Sequence, residues 1–443
     1  MTKIYSARWI IPVASAPIEN GAIAIEETRI VGVGTQKDIT QRYPAAKIQD
    51  FDQSAIIPGL INAHTHFELT AMRGYLENEE SDFFAWLRKL TVARLERMTL
   101  DDIQVSAAWG ACEAARAGIT SVGDASDSAA MSMTALKDVG LRGIVFQESF
   151  GPDARLVEEN VAKLKRKVAQ LREIESDLVK VGLSPHAPYT VCGPQLELIA
   201  EFAITEGLPV MMHAAESAAE ESFVREGSGI FADGLAKRKI EWAAPGMSTI
   251  QYLKKRNILA TRPLLAHCIR VDDADIETLA ETRSTIAHCP KSNAKLGHGR
   301  APFVKFLAHG IDVGLGSDSV ASNNTCDILE ESRFATLIAR SDGPVSAQDV
   351  LSAATVGGAA CLGLKGSIGE ITEGAQADIA VLSLNGSHQV PIYDPVVSTI
   401  FSSSGRDVLM TVVAGKEIYK EGRVVTVDEE RLRARMGEIA AKL

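Results

Sequence analysis

Between residues 58 and about 365 the chain repeats one pattern eight times: a short apolar run, followed in most cases by a longer amphipathic stretch. The runs are 58–64, 118–124, 142–147, 178–184, 208–213, 263–267, 284–288 and 311–317. The stretches at 101–118, 155–177, 194–207, 272–281 and 301–310 read as helices, the first opening on an Asp and ending on a Gly, as capping chemistry prefers. Eight strand-then-helix units predict a closed parallel (β/α)8 TIM barrel. A longer, more polar insertion, 217–262, separates the fifth and sixth strands.

The two ends of the chain read differently. Residues 3–57, and again those from 366, alternate short apolar runs with turns. A small β-sandwich domain made from both termini, 1–57 with 366–443, is therefore expected beside the barrel domain 58–365, with a helix at 428–443. Lys plus Arg number 46 and Asp plus Glu 57, a net charge of −11, which argues against a nucleic acid partner. No run of about 18 apolar residues predicts a membrane span. The start, MTKIYSARWIIPV, lacks a small-residue cleavage site, so a cytoplasmic protein acting on a small molecule is expected. The six cysteines are scattered and form no CxxC pair, which suggests neither a disulfide framework nor a thiolate zinc site.

Barrel enzymes place their chemistry where strands end, and most of the histidines stand there. The first strand ends in His64-Thr65-His66, the fourth runs into His186, and the fifth, sixth and seventh end at His213, His267 and His288; Asp318 follows the eighth. His64 and His66 are i and i+2 on an extended chain, so both side chains share a face. With His213 and Asp318 they make a ligand set of the kind that leaves zinc one open position. His267 is placed to hydrogen-bond the attacking water or the tetrahedral centre. Glu216, three residues after His213, is placed to move a proton, whereas Glu220 and Glu221 read as surface residues. Barrels of this type that hold two metals usually bridge them with a modified Lys after the fourth strand, where His186 stands. One divalent ion is expected, Zn2+ first, with Fe2+ or Ni2+ suiting the same donors. His186 is then left to contact substrate or to be satisfied by a backbone carbonyl. His288 either contacts substrate or orients the Lys291-Ser292-Asn293 loop, and both readings stay open. His298, His309 and His388 read as structural or solvated.

Quoted together, PGLINAHTH (58–66), SPHAPYT (184–190), MMHAAE (211–216), AHC (266–268), HCPKSNAKLGHG (288–299) and GLGSDSVASNN (314–324) resemble the amidohydrolase superfamily, and within it the adenosine-type deaminases. These are the S-adenosylhomocysteine/methylthioadenosine and aminodeoxyfutalosine deaminases. EGAQADIAVL (373–382) and VAGKEIYKEG (413–422) resemble the second domain of that superfamily. The resemblance implies metal ligands at His64, His66, His213 and Asp318, a proton shuttle at Glu216, a water- or intermediate-binding imidazole at His267, a ring-contacting His186, and a homodimer or homotetramer. The thioadenosine-type members place a ribose-binding Glu after the tryptophan of the first long loop; Leu95 stands there, with Glu96 beside it. An Arg they carry late in the third strand is Gln147 here, and Arg155 fits a second such position. HFELTAMRG (66–74), with Glu68 behind the metal pair, resembles the aminodeoxyfutalosine group. Gln147 and Arg155 are thereby expected substrate contacts, as is Glu68, with loop capping as its alternative. The implied activity is hydrolytic deamination of an aminated N-heterocycle, with the 6-amino group of an adenine nucleoside favoured. The alternatives are a hydrolase of another bond or ring (a triazine chlorohydrolase, a guanine or pterin deaminase) and a non-catalytic scaffold.

Overall fold

A computed structural model describes residues 2–443. The chain opens in a sheet: β1 (Lys3–Ile10), β2 (Ile18–Glu26) and β3 (Arg29–Thr35) run antiparallel, while β4 (Lys47–Asp50) and β5 (Ser54–Pro58) lie parallel to β1. Eight strands follow where the eight runs were read: β6 (Leu60–Thr65), β7 (Ile119–Ser126), β8 (Arg142–Ser149), β9 (Val179–Pro185), β10 (Met211–Ala214), β11 (Leu264–His267), β12 (Thr285–His288) and β13 (Val313–Leu315). The chain then returns to the first sheet. β14 (Ile379–Ser383) pairs antiparallel with β5, and β15 (Val408–Val413), β16 (Lys416–Lys420) and β17 (Arg423–Val424) extend it.

The terminal sheet is one hydrogen-bonded layer in the order β17-β16-β15-β14-β5-β1-β2-β3, with β4 on β1. It rolls over a core of its own, in which Ile23 and Ile25 of β2 meet Ile379 and Val412. Tyr5 on β1 donates a 2.8 Å hydrogen bond to Glu417 on β16, closing the roll. The expected sandwich is thus a single sheet folded on itself. Its outer face, with Ala55, Ile57, Ala380 and Leu382, packs into the layer around the barrel. A buried ion pair, Arg142 Nε to Asp378 Oδ2 at 2.8 Å, ties β8 to this sheet.

The barrel is built in two halves, β6-β7-β8-β9 and β10-β11-β12-β13, all parallel. Single bridges close the two seams, Leu183 with Val210 and Thr65 with Asp318. The second seam is tight: a Cβ on Gly316 would stand 3.0 Å from the Cβ of His64 and 2.9 Å from the Cys289 sulfur. Residues of six strands, among them Ile61, Ala125, Ile144, Phe146, Met211, Leu264, Ala266 and Ala287, form one cluster, which only a barrel interior permits. Their neighbours Val145, Met212, Leu265 and Ile286 face the helices, the period-two alternation of a strand.

The first long helix, Leu100–Arg116, is capped by Thr99 in a capping box with Asp102, one turn-start earlier than the Asp101 reading. The side-chain oxygen at the cap, not the first acidic residue, fixes the start. The insertion folds as three helices, Ala218–Glu226, Gly229–Lys237 and Thr249–Lys255. Stacked aromatics anchor it: Phe223 on Trp242 at 4.2 Å and Phe231 on Tyr189 at 3.9 Å. The closing helix, Glu429–Lys442, places Lys442 Nζ 2.8 Å from both Asp102 oxygens. Among the described residues no helix is long and apolar enough to cross a membrane.

Candidate active site

The C-terminal mouth of the barrel holds a cavity of about 640 Å³ lined by His66, His186, His213, Glu216, His267 and Asp318, with Glu68 and Glu148 beside them. His64 lies beneath, fully buried. Three strand-end positions reach this arrangement through left-handed backbone: Ala215 (φ 52°), His267 (φ 75°) and Asp318 (φ 55°). Such residues cost of order 1–3 kcal/mol each and persist where the surroundings enforce them, typically at functional sites.

Four side chains converge. His66 Nε2 lies 3.2 Å from His213 Nε2, and Asp318 Oδ1 lies 3.4 Å from His64 Nε2 and 3.5 Å from His66 Nε2. His64, His66 and His213 each offer a nitrogen within 4.8 Å of the others. The far side of the set is spoken for. His213 Nδ1 donates to the His186 carbonyl at 2.9 Å, and His64 Nδ1 meets Met211 Sδ at 3.1 Å. Ser292 and Ser322 donate to Asp318 Oδ2 at 2.6 and 2.9 Å. A ring that donates through Nδ1 carries its lone pair on Nε2. His64 Nε2 is buried without a hydrogen-bond partner, and unpaired nitrogens facing one another across about 3 Å are costly unless a cation lies among them. Burial holds His64 down at about 4 and His66 and His213 below their ordinary values, so the three rings are neutral donors near pH 7. The donors present therefore fit a divalent metal, with outer partners fixing His64, His213 and Asp318.

Beside this set, Glu216 Oε1 lies 3.7 Å from His267 Nε2. Burial lowers the His267 pKa, but the Glu216 and Asp318 charges outweigh it and raise it. Glu220, read from the sequence as a surface residue, is fully buried. Its carboxylate accepts from the Ala215 and Glu216 amides at 2.8 and 3.0 Å and from Thr249 at 3.0 Å, locking the turn that presents Glu216. His298, read as structural or solvated, sends Nε2 to 3.6 Å from Glu216 Oε1. One loop thus serves three groups. Ser292 holds Asp318, Asn293 Oδ1 accepts from His267 Nδ1 at 2.8 Å, and His298 meets Glu216.

The expected substrate contacts divide. His186 lines the cavity, its Nδ1 2.9 Å from the Thr190 hydroxyl and its ring 4.8 Å from that of Phe150. Glu68 also lines it, yet both its oxygens are engaged, by Arg94 at 3.2 Å and by Ser126 and the Ser128 amide at 2.7 and 3.0 Å, which is the capping alternative. Gln147 does not reach the cavity. Ile144 and Phe146 face the lumen, so Gln147 points away and donates to the carbonyls of Asp127 and Glu148. Glu148, in phase with the lumen residues, lines the cavity with Oε1 unpartnered. Burial, reinforced by the Glu68 and Asp127 charges, raises its pKa well above the usual range. Arg155 is 73% exposed and pairs with Asp153 at 2.7 Å, outside the cavity. His288 continues from lumen-facing Ala287, so it points outward and stacks on Phe303 at 5.2 Å. Arg238, from the insertion, lines the mouth instead; only the insertion's position between the fifth and sixth strands pointed to it.

The model of the amidohydrolase family matches residues 55–418. A 5-methylthioadenosine/S-adenosylhomocysteine deaminase of Pyrococcus horikoshii is 33% identical over 418 residues, 93% of each chain. The solved structure of an adenosine deaminase from Xanthomonas campestris with bound zinc superposes with a TM-score of 0.86 at 25% identity, over 99% of this chain and 98% of that one. An aminofutalosine deaminase of Helicobacter pylori, in complex with methylthio-coformycin, gives 0.80 at 22% identity over 94% of this chain and all of that one, a likeness of fold. The family match runs from β5 through the whole barrel to β16, and the chain belongs to the amidohydrolase family.

Proposed function

We propose that this hydrolase of carbon–nitrogen bonds removes the 6-amino group of an adenine nucleoside as ammonia. The observation that carries the reading is the pairing of Glu216 with the converging imidazoles: a carboxyl 3.7 Å from His267 and free of the ligand set. The names of the relatives, deaminases of adenine nucleosides, point the same way. His64, His66, His213 and Asp318 would hold the divalent ion, which when bound supplies Lewis acidity that activates water near neutral pH.

The chain's own residues do the rest. Asp318 Oδ1 takes the proton of the attacking water while the Ser292 and Ser322 hydroxyls steady Oδ2. His267, its Nδ1–H fixed on Asn293, aims Nε2 at the nucleophile. Glu216 protonates the ring nitrogen next to the amino-bearing carbon, so that the ring accepts the electron pair. Asp318 returns its proton to the amine, the hydroxyl proton of the tetrahedral carbon passes to Glu216, and ammonia leaves with both carboxyl groups restored. His186 lies against the ring. Beyond the polar floor the walls are largely apolar, with Trp86, Leu87, Leu95, Phe231 and Leu235, and also carry Arg88, Arg94 and Arg238, which leaves room for a nucleoside with a 5′ extension.

The test is an ammonia-release screen with zinc-loaded protein over adenosine, methylthioadenosine, S-adenosylhomocysteine, aminodeoxyfutalosine, guanine and pterins. Release from one or more adenine nucleosides is expected. Chloride from a chlorotriazine with no ammonia from any nucleoside, or full activity in metal-stripped protein, overturns the reading.

A further inference from the structure

The carboxyl groups that line the cavity are those of Glu68, Asp127, Glu148, Glu216 and Asp318. Four have work or partners. Asp318 belongs to the ligand set and Glu216 stands beside His267. Glu68 is held by Arg94, Ser126 and the Ser128 amide. Asp127 pairs with Arg94 at 2.8 Å and Lys167 at 3.1 Å. Glu148 is left over. It is 7% exposed, and its Oε1 is buried without a hydrogen-bond partner.

Its neighbours do not use that oxygen. Ser184 stands opposite on β9, and its hydroxyl is likewise unpartnered, so the two do not satisfy each other. A Glu148 oxygen lies within 4.8 Å of nitrogens of His186 and His213. These three are not a second metal centre: His213 turns Nε2 to the first ligand set and gives Nδ1–H to the His186 carbonyl. A buried acceptor left open is costly, and in the wall of a binding cavity the ligand is what fills it.

Position round the barrel selects the part of the ligand. The metal set, Glu216 and His267 take the amino-bearing edge of the ring, and they stand on or after β6, β10, β11 and β13. His186, against the ring, follows β9; Glu148 is one strand further, on β8. What lies past the ring on that side is the sugar. In an adenine nucleoside the hydrogen-bond donors other than the 6-amino group are the sugar hydroxyls. We propose that Glu148 is a specificity-determining residue that accepts a hydrogen bond from a sugar hydroxyl, so that the enzyme selects ribosides over deoxyribosides, a role that rests on the deaminase reading. The contact is made in the ground state and the transition state alike, so its loss falls on KM rather than on kcat.

The experiment measures ammonia release by zinc-loaded wild type and Glu148→Ala from a nucleoside that the wild type deaminates and from its 2′-deoxy and 3′-deoxy counterparts. Wild-type kcat/KM falls about 10-fold to 100-fold on at least one counterpart, mostly through KM. Glu148→Ala loses a similar factor on the riboside and discriminates that pair by less than about threefold, because the two deletions remove one contact. Glu148→Leu carries the same comparison should the Ala variant fail to fold. A wild-type preference of less than about 10-fold for the riboside over both counterparts overturns the contact, as does a preference that persists undiminished in the variant. Either result, with ammonia still released by the wild type, removes the contact alone. No ammonia from any nucleoside removes the deaminase reading and the contact with it.

Discussion

Ala266 and Ala287 are paired neighbours in the barrel lumen, so strict alternation sends the next residue of each strand, His267 and His288, out toward the helices. A φ of 75° swings His267 back into the mouth; His288 has no such turn and stacks on Phe303. Burial holds neutral His288 down at about 3, below the ordinary 6.5 of the unfolded chain. Between those values the unfolded state binds more protons, so this contribution to stability is fully present above pH 6.5 and is lost as the pH falls toward 3. His288→Phe should therefore leave turnover within about twofold and flatten the decline of melting temperature between pH 6.5 and 4; a large drop in kcat would return His288 to the substrate. Glu216→Gln should keep its zinc by metal analysis and lose about 100-fold to 10,000-fold in kcat; normal turnover would remove Glu216 from the chemistry. On β8 the same parity puts Glu148 in the cavity and Gln147 outside it, so Glu148→Ala should raise KM for the nucleoside far more than Gln147→Ala does. The HxH pair and the strand-end residues His213 and Asp318 were legible because identity and spacing carry them. Which of two adjacent residues faces the lumen was not, because runs apolar on both faces do not declare their phase.

The loop after β12 is the element that organises the chemistry. Its short helix Pro290–Lys295 and the turn behind it supply Ser292, Asn293 and His298 to three different partners. The sequence marks this stretch as a loop after a strand-end histidine, yet its contacts arise from residues 26 to 82 positions away, and spacing alone does not reveal them. Glu220 was hidden for a similar reason: AAESAAEE looks like a solvated helix start until the turn it caps is in place. Asn293→Leu leaves the His267 N–H without an acceptor; kcat is expected to fall by as much as about 100-fold with zinc retained, and an unchanged kcat would show that His267 is aimed by something else.

At the scale of the molecule, the eight-unit pattern foretold the barrel and the alternating ends foretold the sheet they share, because both are written in local periodicity. The roll of that sheet and the division of the barrel into two four-stranded halves were not, because they depend on how distant strands meet. The ligand set draws on β6, from one half, and on β10 and the segment after β13, from the other. Chelation should therefore lower the melting temperature as well as abolish turnover. An ion at 100 times its Kd stabilises the fold by about 2.7 kcal/mol, and re-added zinc should restore both; a melting temperature indifferent to the ion would mean that the halves do not share it. Both seams, moreover, are stitched by the backbone of the site itself: the His213 amide donates to the His186 carbonyl at 3.0 Å, and the Asp318 amide to the His64 carbonyl at 2.9 Å. Those two amide protons are built-in gauges of loading, and deuterium uptake at His213 and Asp318 would follow filling and emptying of the centre without any substrate being turned over.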